Sequence, residues 1–167
     1  MRFDRSALIS LCVLTAAALP AHAAGSVEIA FIAPAGYTDS GKDPVDSKTN
    51  EDRLARYLQS LGERYLGPDQ VLKIDVLDVD LAGSMRPSRR GFDDIRIARG
   101  GADWPHIKMR YSLVEGGKVI QNGEETVADM NYLRHAADTR DSDPLRYEKR
   151  MLADWFKARF VEHKPAG

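Results

Sequence analysis

The stretch His106-Ile107-Lys108-Met109-Arg110-Tyr111-Ser112-Leu113-Val114-Glu115-Gly116-Gly117-Lys118 decides the fold. Successive residues of an extended chain face opposite ways, so Ile107, Met109, Tyr111 and Leu113 share one side and Lys108, Arg110 and Ser112 the other. A strand with one apolar and one wet face belongs to an antiparallel sheet covered on one side only. Gly116-Gly117 is a two-residue hairpin turn, so the chain returns as a second strand from Lys118. Asn122-Gly123 is expected to interrupt that strand by a bulge or second turn, with pairing resumed around Glu125 to Met130.

Working outward, Val27, Ile29 and Phe31 alternate with Glu28 and Ala30 and read as an earlier strand. Pro34 to Thr49 is rich in Pro, Gly, Asp and Ser and reads as a long loop, mobile or functional by its length. Asn50 is the expected cap of a helix reaching about Leu66, with Leu54, Leu58, Leu61 and Tyr65 on one face and Gly67-Pro68 as its stop. Val71 to Leu81 reads as a strand that places Leu72, Ile74 and Val76 together. Ser84 to Asp94 reads as a polar loop, followed by a short strand at Ile95 to Ala98. Arg134 to Asp143 is a further polar loop. Asp143 then caps a last helix with Pro144 at its first position, running to about Val161. The expected architecture is α+β, a mostly antiparallel sheet with two main helices packed on one face, in a single domain spanning residues 24–167.

The first residues carry an address. Arg2 and Arg5 precede the uncharged run Ala7 to Leu19, and Pro20-Ala21-His22-Ala23 closes it with small residues. That is the layout of a secretory signal peptide, residues 1–23, cut after Ala23. The run is shorter than the ~20 apolar residues of a membrane-spanning helix. The single cysteine, Cys12, lies inside this segment behind Leu11, mid-run, where lipidation is not expected. The mature chain would then carry no thiol and no stable membrane anchor. With 24 basic against 25 acidic residues the net charge is −1, without the basic excess of a nucleic-acid binder. No nucleic-acid partner is expected.

Four groups of residues could carry chemistry. On a regular strand, Asp78 and Asp80 share the face of Leu72, Ile74 and Val76, and two close carboxylates bind a hard cation or raise each other's proton affinity. A bulge at Leu77, or a turn into Ala82-Gly83, would instead turn them away from the core. On the last helix Glu148 and Arg159 fall within the apolar stripe of Leu145, Leu152, Trp155 and Phe156, too far apart to pair with each other. Each needs a partner from the sheet or a loop, unless Glu148 lines a site. Arg86, Arg89 and Arg90 could hold a phosphate or carboxylate, although Asp93 and Asp94 follow at once. Trp104-Pro105 and Asn131-Tyr132 could rim a binding groove or pack at the core edge. Glycine-rich phosphate loops, dinucleotide fingerprints and nucleophile elbows are absent. His106, His135 and His163 lack zinc spacing, and Asp39, Asp43 and Asp46 lack calcium-loop spacing. No catalytic residue and no cofactor is assigned.

Five blocks in order resemble an exported proteobacterial family known as domain of unknown function 3016. They are Ala33-Pro34-Ala35-Gly36-Tyr37-Thr38-Asp39, Leu72 to Gly83, Trp104-Pro105, Asp129-Met130-Asn131-Tyr132-Leu133, and Arg146 to Phe156. The resemblance implies a Gram-negative periplasmic location and brings no activity or cofactor. It draws attention to Asp78, Asp80, Asp129 and Glu148, on which its blocks are centred. The reading favoured is an exported periplasmic domain, non-enzymatic, that binds an envelope protein or component, with Asp78, Asp80, Asp129, Tyr132, Glu148 and Trp104 as candidate contact residues. The alternative is a metal-assisted hydrolase or lyase in which Asp78 and Asp80 hold a cation and Asp129 or Glu148 serves as ligand or base.

Overall fold

The computed structural model describes residues 25–87, 94–134 and 142–163. The expected signal segment, Arg89, Arg90 and His135 lie outside the described residues. Four strands form the main sheet in the order β1-β2-β5-β6: β1 (Ser26–Phe31), β2 (Gln70–Asp80), β5 (His106–Glu115) and β6 (Lys118–Ala128). β1 runs parallel to β2, while β2–β5 and β5–β6 are antiparallel. Helices α1 (Pro44–Tyr65) and α2 (Arg146–Phe156) complete the α+β domain. Leu54, Leu58 and Leu61 of α1 and Met151, Leu152, Trp155 and Phe156 of α2 join Leu72, Ile74, Met109, Tyr111 and Leu113 in one core. Tyr111 is met edge-on by Trp155 and Phe160, at centroid distances of 5.7 and 5.6 Å. Lys73, Lys108 and Arg110 face away from that core and pair across strands with Glu28 and Glu124.

The segment read as a loop from Pro34 to Thr49 contains a 3₁₀ turn at Pro34–Gly36 and the first turns of α1. The cap of α1 is Asp43, not Asn50: its Oδ1 accepts the N–H groups of Val45 and Asp46, with Pro44 at the first helical position. Asn50 is interior to the helix and donates from Nδ2 to the Ser40 carbonyl at 3.0 Å.

Ser84 to Asp94 was also expected as loop, yet Ser84–Pro87 forms β3 and pairs with β4 (Asp94–Ile97) as a separate two-stranded ribbon. β6 is continuous through Asn122-Gly123. Gly123 sits opposite Tyr111, where a Cβ would come within 3.0–3.1 Å of the tyrosine ring and hydroxyl. The glycine therefore makes room for the ring rather than a break in the strand. The irregularity lies nearer the turn, where pairing passes from Leu113–Gln121 to Val114–Val119 and leaves Ile120 unpaired.

Asp143-Pro144 forms a turn just before α2 rather than its cap. Asp143 Oδ1 accepts Leu145 N–H, and regular helix begins at Arg146. Past Phe156 the chain continues as a π-helical turn, Lys157–Val161, so the helical segment does end at Val161.

Candidate functional site

Leu77 decides where the aspartates point. Pairing between β2 and β5 passes from Val76–Met109 directly to Asp78–Lys108, leaving Leu77 as the extra residue of a bulge. Val79 thereby enters the core, and Asp78 and Asp80 turn to the opposite side. Asp78 accepts Thr38 N–H and Thr38 Oγ1–H, both at 2.8 Å, which ties the segment after the 3₁₀ turn to β2. Asp80 lies 3.6 Å from His106 Nε2. Burial pushes its carboxyl above the usual range, His106 draws it down, and Asp39 and Asp78 push it up. Asp39 bridges to Asp80 through the backbone and holds Arg96 by two hydrogen bonds of 2.9 Å.

The other expected carboxylates do not join this pair. Asp80 is in register with His106 and His106 with Ala128, so Asp129 lies two strands away, where its Oδ1 accepts Asn131 N–H. Glu148 is 1% exposed and accepts Ala82 N–H at 2.7 Å through Oε1. Among the described residues no group of three or more His, Cys, Asp or Glu is placed to hold a metal ion. Tyr132 is buried and so forms no rim. Its hydroxyl donates to Asp103 at 2.7 Å and accepts Gly100 N–H, pinning the segment before β5 to the turn after β6. Burial, then the Asp103 bond, pushes its phenol up to about 12. Trp104 is half-buried beside the buried Pro105, and Arg86 is exposed on β3. Arg159 pairs with Glu125 of β6 at 2.6 Å, the sheet partner that its place in the stripe demanded.

A concave site lies elsewhere at the same end of the molecule. β1 and β2 both end there, as parallel strands do in folds that bind ligands at their carboxyl ends, and α1 begins there. The cavity, about 380 Å³, lies between the start of α1, the end of β2, the β3–β4 ribbon and the entry to α2. Among the described residues Lys42, Arg53, Arg96 and Arg146 line it against a single acid, Asp46. Leu81, Ala82, Met85, Ala98 and Leu145 supply an apolar wall.

The cations are held differently. Arg96 is fixed by Asp39 and also reaches the carbonyls of Leu81 and Gly83. Arg146 donates to the Asp143 carbonyl and the Tyr147 hydroxyl and lies 4.3 Å from the Tyr147 ring centroid. Behind the wall stands Glu148, whose Oε2 has no hydrogen-bond partner among the described residues. Burial pushes its carboxyl up, and the Ala82 amide and the charges of Arg96 and Arg146 oppose that push. Lys42, Arg96 and Arg146 escaped the sequence reading because they lie on separate segments, and Arg53 escaped it because the start of α1 was misplaced. Once α1 is known to start at Pro44, Asp46, Asn50 and Arg53 follow at spacings of four and three and form one helical stripe. With Asn50 taken as the cap, that stripe does not exist.

No curated protein and no solved structure matches the chain. Residues 25–158 match the family described as "Protein of unknown function (DUF3016)", a span that takes in every strand and both α-helices of the described residues. The five ordered blocks all lie within that span, and the chain belongs to that family.

Proposed function

We propose that the protein is an exported periplasmic domain that binds an envelope partner or component without catalysis, and does so at its cavity end. The observation that carries this reading is the concentration of four cations around an apolar wall where β1 and β2 end. Pockets that combine an apolar surface with a few convergent polar groups are where ligands bind. The candidate carboxylates act there as framework. Asp39 steadies Arg96, Asp78 ties Thr38 to β2, and Glu148 secures the Ala82 backbone in the cavity wall. The signal-like start of the sequence supports an exported location.

Site-specific photo-crosslinking in the producing cell tests both parts. A photoreactive residue replacing Met85 in the cavity is expected to capture a defined envelope molecule, while one replacing Ser112 on the open sheet face is not. The protein that carries the photoreactive residue is itself expected to begin at Ala24 by mass spectrometry. Equal labelling from the two positions, or none above an unrelated exported control, overturns the reading.

A further inference from the structure

We propose that the cavity between α1, β2, the β3–β4 ribbon and α2 binds a phosphate monoester that carries a compact apolar group. This inference rests on the cavity being the ligand site, and it goes on to name the ligand's chemistry.

Charge sets the head group. Of the four lining cations, Arg96 is neutralised by its two-bond pairing with Asp39. Among the described lining residues Lys42, Arg53 and Arg146 remain against Asp46, an excess of two positive charges, with Glu148 buried behind the wall and Asp143 paired with Lys149. A phosphate monoester carries about −1.5 to −2 at neutral pH and matches that excess, whereas a carboxylate would meet half of it. Two of these cations are arginines, whose planar donor forks suit phosphate oxygens.

The source of the positive charge also matters. Asp43 occupies the first free N–H groups of α1, so that helix start is already capped, while the start of α2 carries no side-chain cap. At the α1 side recognition therefore falls to side chains, which substitution can remove one at a time. The remaining wall decides the body of the ligand. Met85 and Ala98, half-buried over the core residues Leu81 and Leu145, offer apolar surface that inorganic phosphate cannot cover, so an ester group contributes to binding by leaving water.

The test uses the purified exported protein and calorimetric titration with phenyl phosphate, inorganic phosphate and benzyl alcohol, with flotation on vesicles containing phosphatidic acid. Phenyl phosphate is expected to bind saturably and more tightly than inorganic phosphate, and benzyl alcohol not to bind. Lys42→Gln and Arg53→Gln are each expected to weaken phenyl phosphate by about tenfold, the loss of one charge-assisted contact. Both side chains reach solvent, so their unliganded melting temperatures should match the parent; Arg110→Gln on the open sheet face should leave affinity unchanged. Vesicle binding lost in the same two variants would identify a lipid head group as the source, and phenyl phosphate binding without vesicle binding a free monoester. Absence of saturable binding, or affinity that survives both substitutions, overturns the proposal. If crosslinking at Met85 still captures an envelope molecule in that event, the cavity remains the site and only the phosphate chemistry fails.

Discussion

At the residue scale, Glu148 and Glu125 carry opposite consequences for stability although both sit on the core side. Burial raises the Glu148 carboxyl above its ordinary value of 4.5. A raised acid binds its proton more strongly in the folded state, so its contribution is complete below 4.5 and is lost as pH rises through the folded value. Glu148→Gln keeps an oxygen for Ala82 N–H and removes the ionisation. Its melting temperature should exceed the parent's at neutral pH, and the two should converge in acid. A variant less stable at neutral pH would mean that the ionised carboxylate is needed by Arg96 and Arg146. Glu125 is the reverse case. The Arg159 hydrogen bonds hold its carboxyl below 4.5, so its contribution is present above 4.5 and lost as pH falls through the lowered value. The pair lies at the core edge, with 11% and 8% side-chain exposure. Arg159→Met should cost about 2–3 kcal/mol, somewhat below the range of fully interior pairs, by leaving the Glu125 carboxylate with the Tyr111 hydroxyl but without its counter-charge. Urea unfolding of Arg159→Met beside Glu125→Leu/Arg159→Met checks this, since the double variant should recover most of the loss.

At the scale of the element, one extra residue governs how β2 presents its carboxylates. Val76, Asp78 and Val79 pair one-to-one with Met109, Lys108 and Ile107, so the ladder already proceeds as if Leu77 were absent. Deleting Leu77 should therefore keep the far-ultraviolet circular dichroism and cooperative melting of the parent at a lower midpoint, since only its own contacts are lost. Deleting Lys73 from the regular part of the same strand should abolish folding, because it turns Ile74 and Val76 out of phase with Leu72. Equal outcomes for the two deletions would refute the bulge. The same strand shows what local sequence can and cannot reveal. Alternation identified β2 and β5 to within a residue, because one wet face imposes a period of two. The apolar phase shifts from Leu72, Ile74 and Val76 to Val79 and Leu81, which makes a bulge at Leu77 one reading of the sequence, and pairing with β5 selects it over a regular strand. The start of α1 was legible in Asp43-Pro44, the same Asp-Pro pair that precedes α2. It was hidden by the Pro, Gly and Ser around it, which read as loop.

At the scale of the whole molecule, one parallel pair in a mostly antiparallel sheet places the cavity. β1, α1 and β2 form a crossover whose strands end beside the start of α1, and the β3–β4 ribbon and the entry to α2 enclose that end. The cavity draws Lys42, Arg53, Arg96 and Arg146 from three separate elements and an intervening loop, so no sequence motif contains them. Both helices meanwhile cover the same side of the sheet, and the core runs without division from Val27 on β1 to Phe160 beyond α2. The only cysteine precedes all of it, at Cys12. A core shared by every long element and free of thiols has no cross-link to lose and no weaker half to melt first. Residues 24–167 should therefore unfold on heating in one calorimetric transition, with the calorimetric and van't Hoff enthalpies equal and the midpoint unchanged by reductant. A second transition would show that the β5–β6 hairpin and α2 separate from the β1-α1-β2 crossover, and the cavity that both halves wall would then open before the protein unfolds.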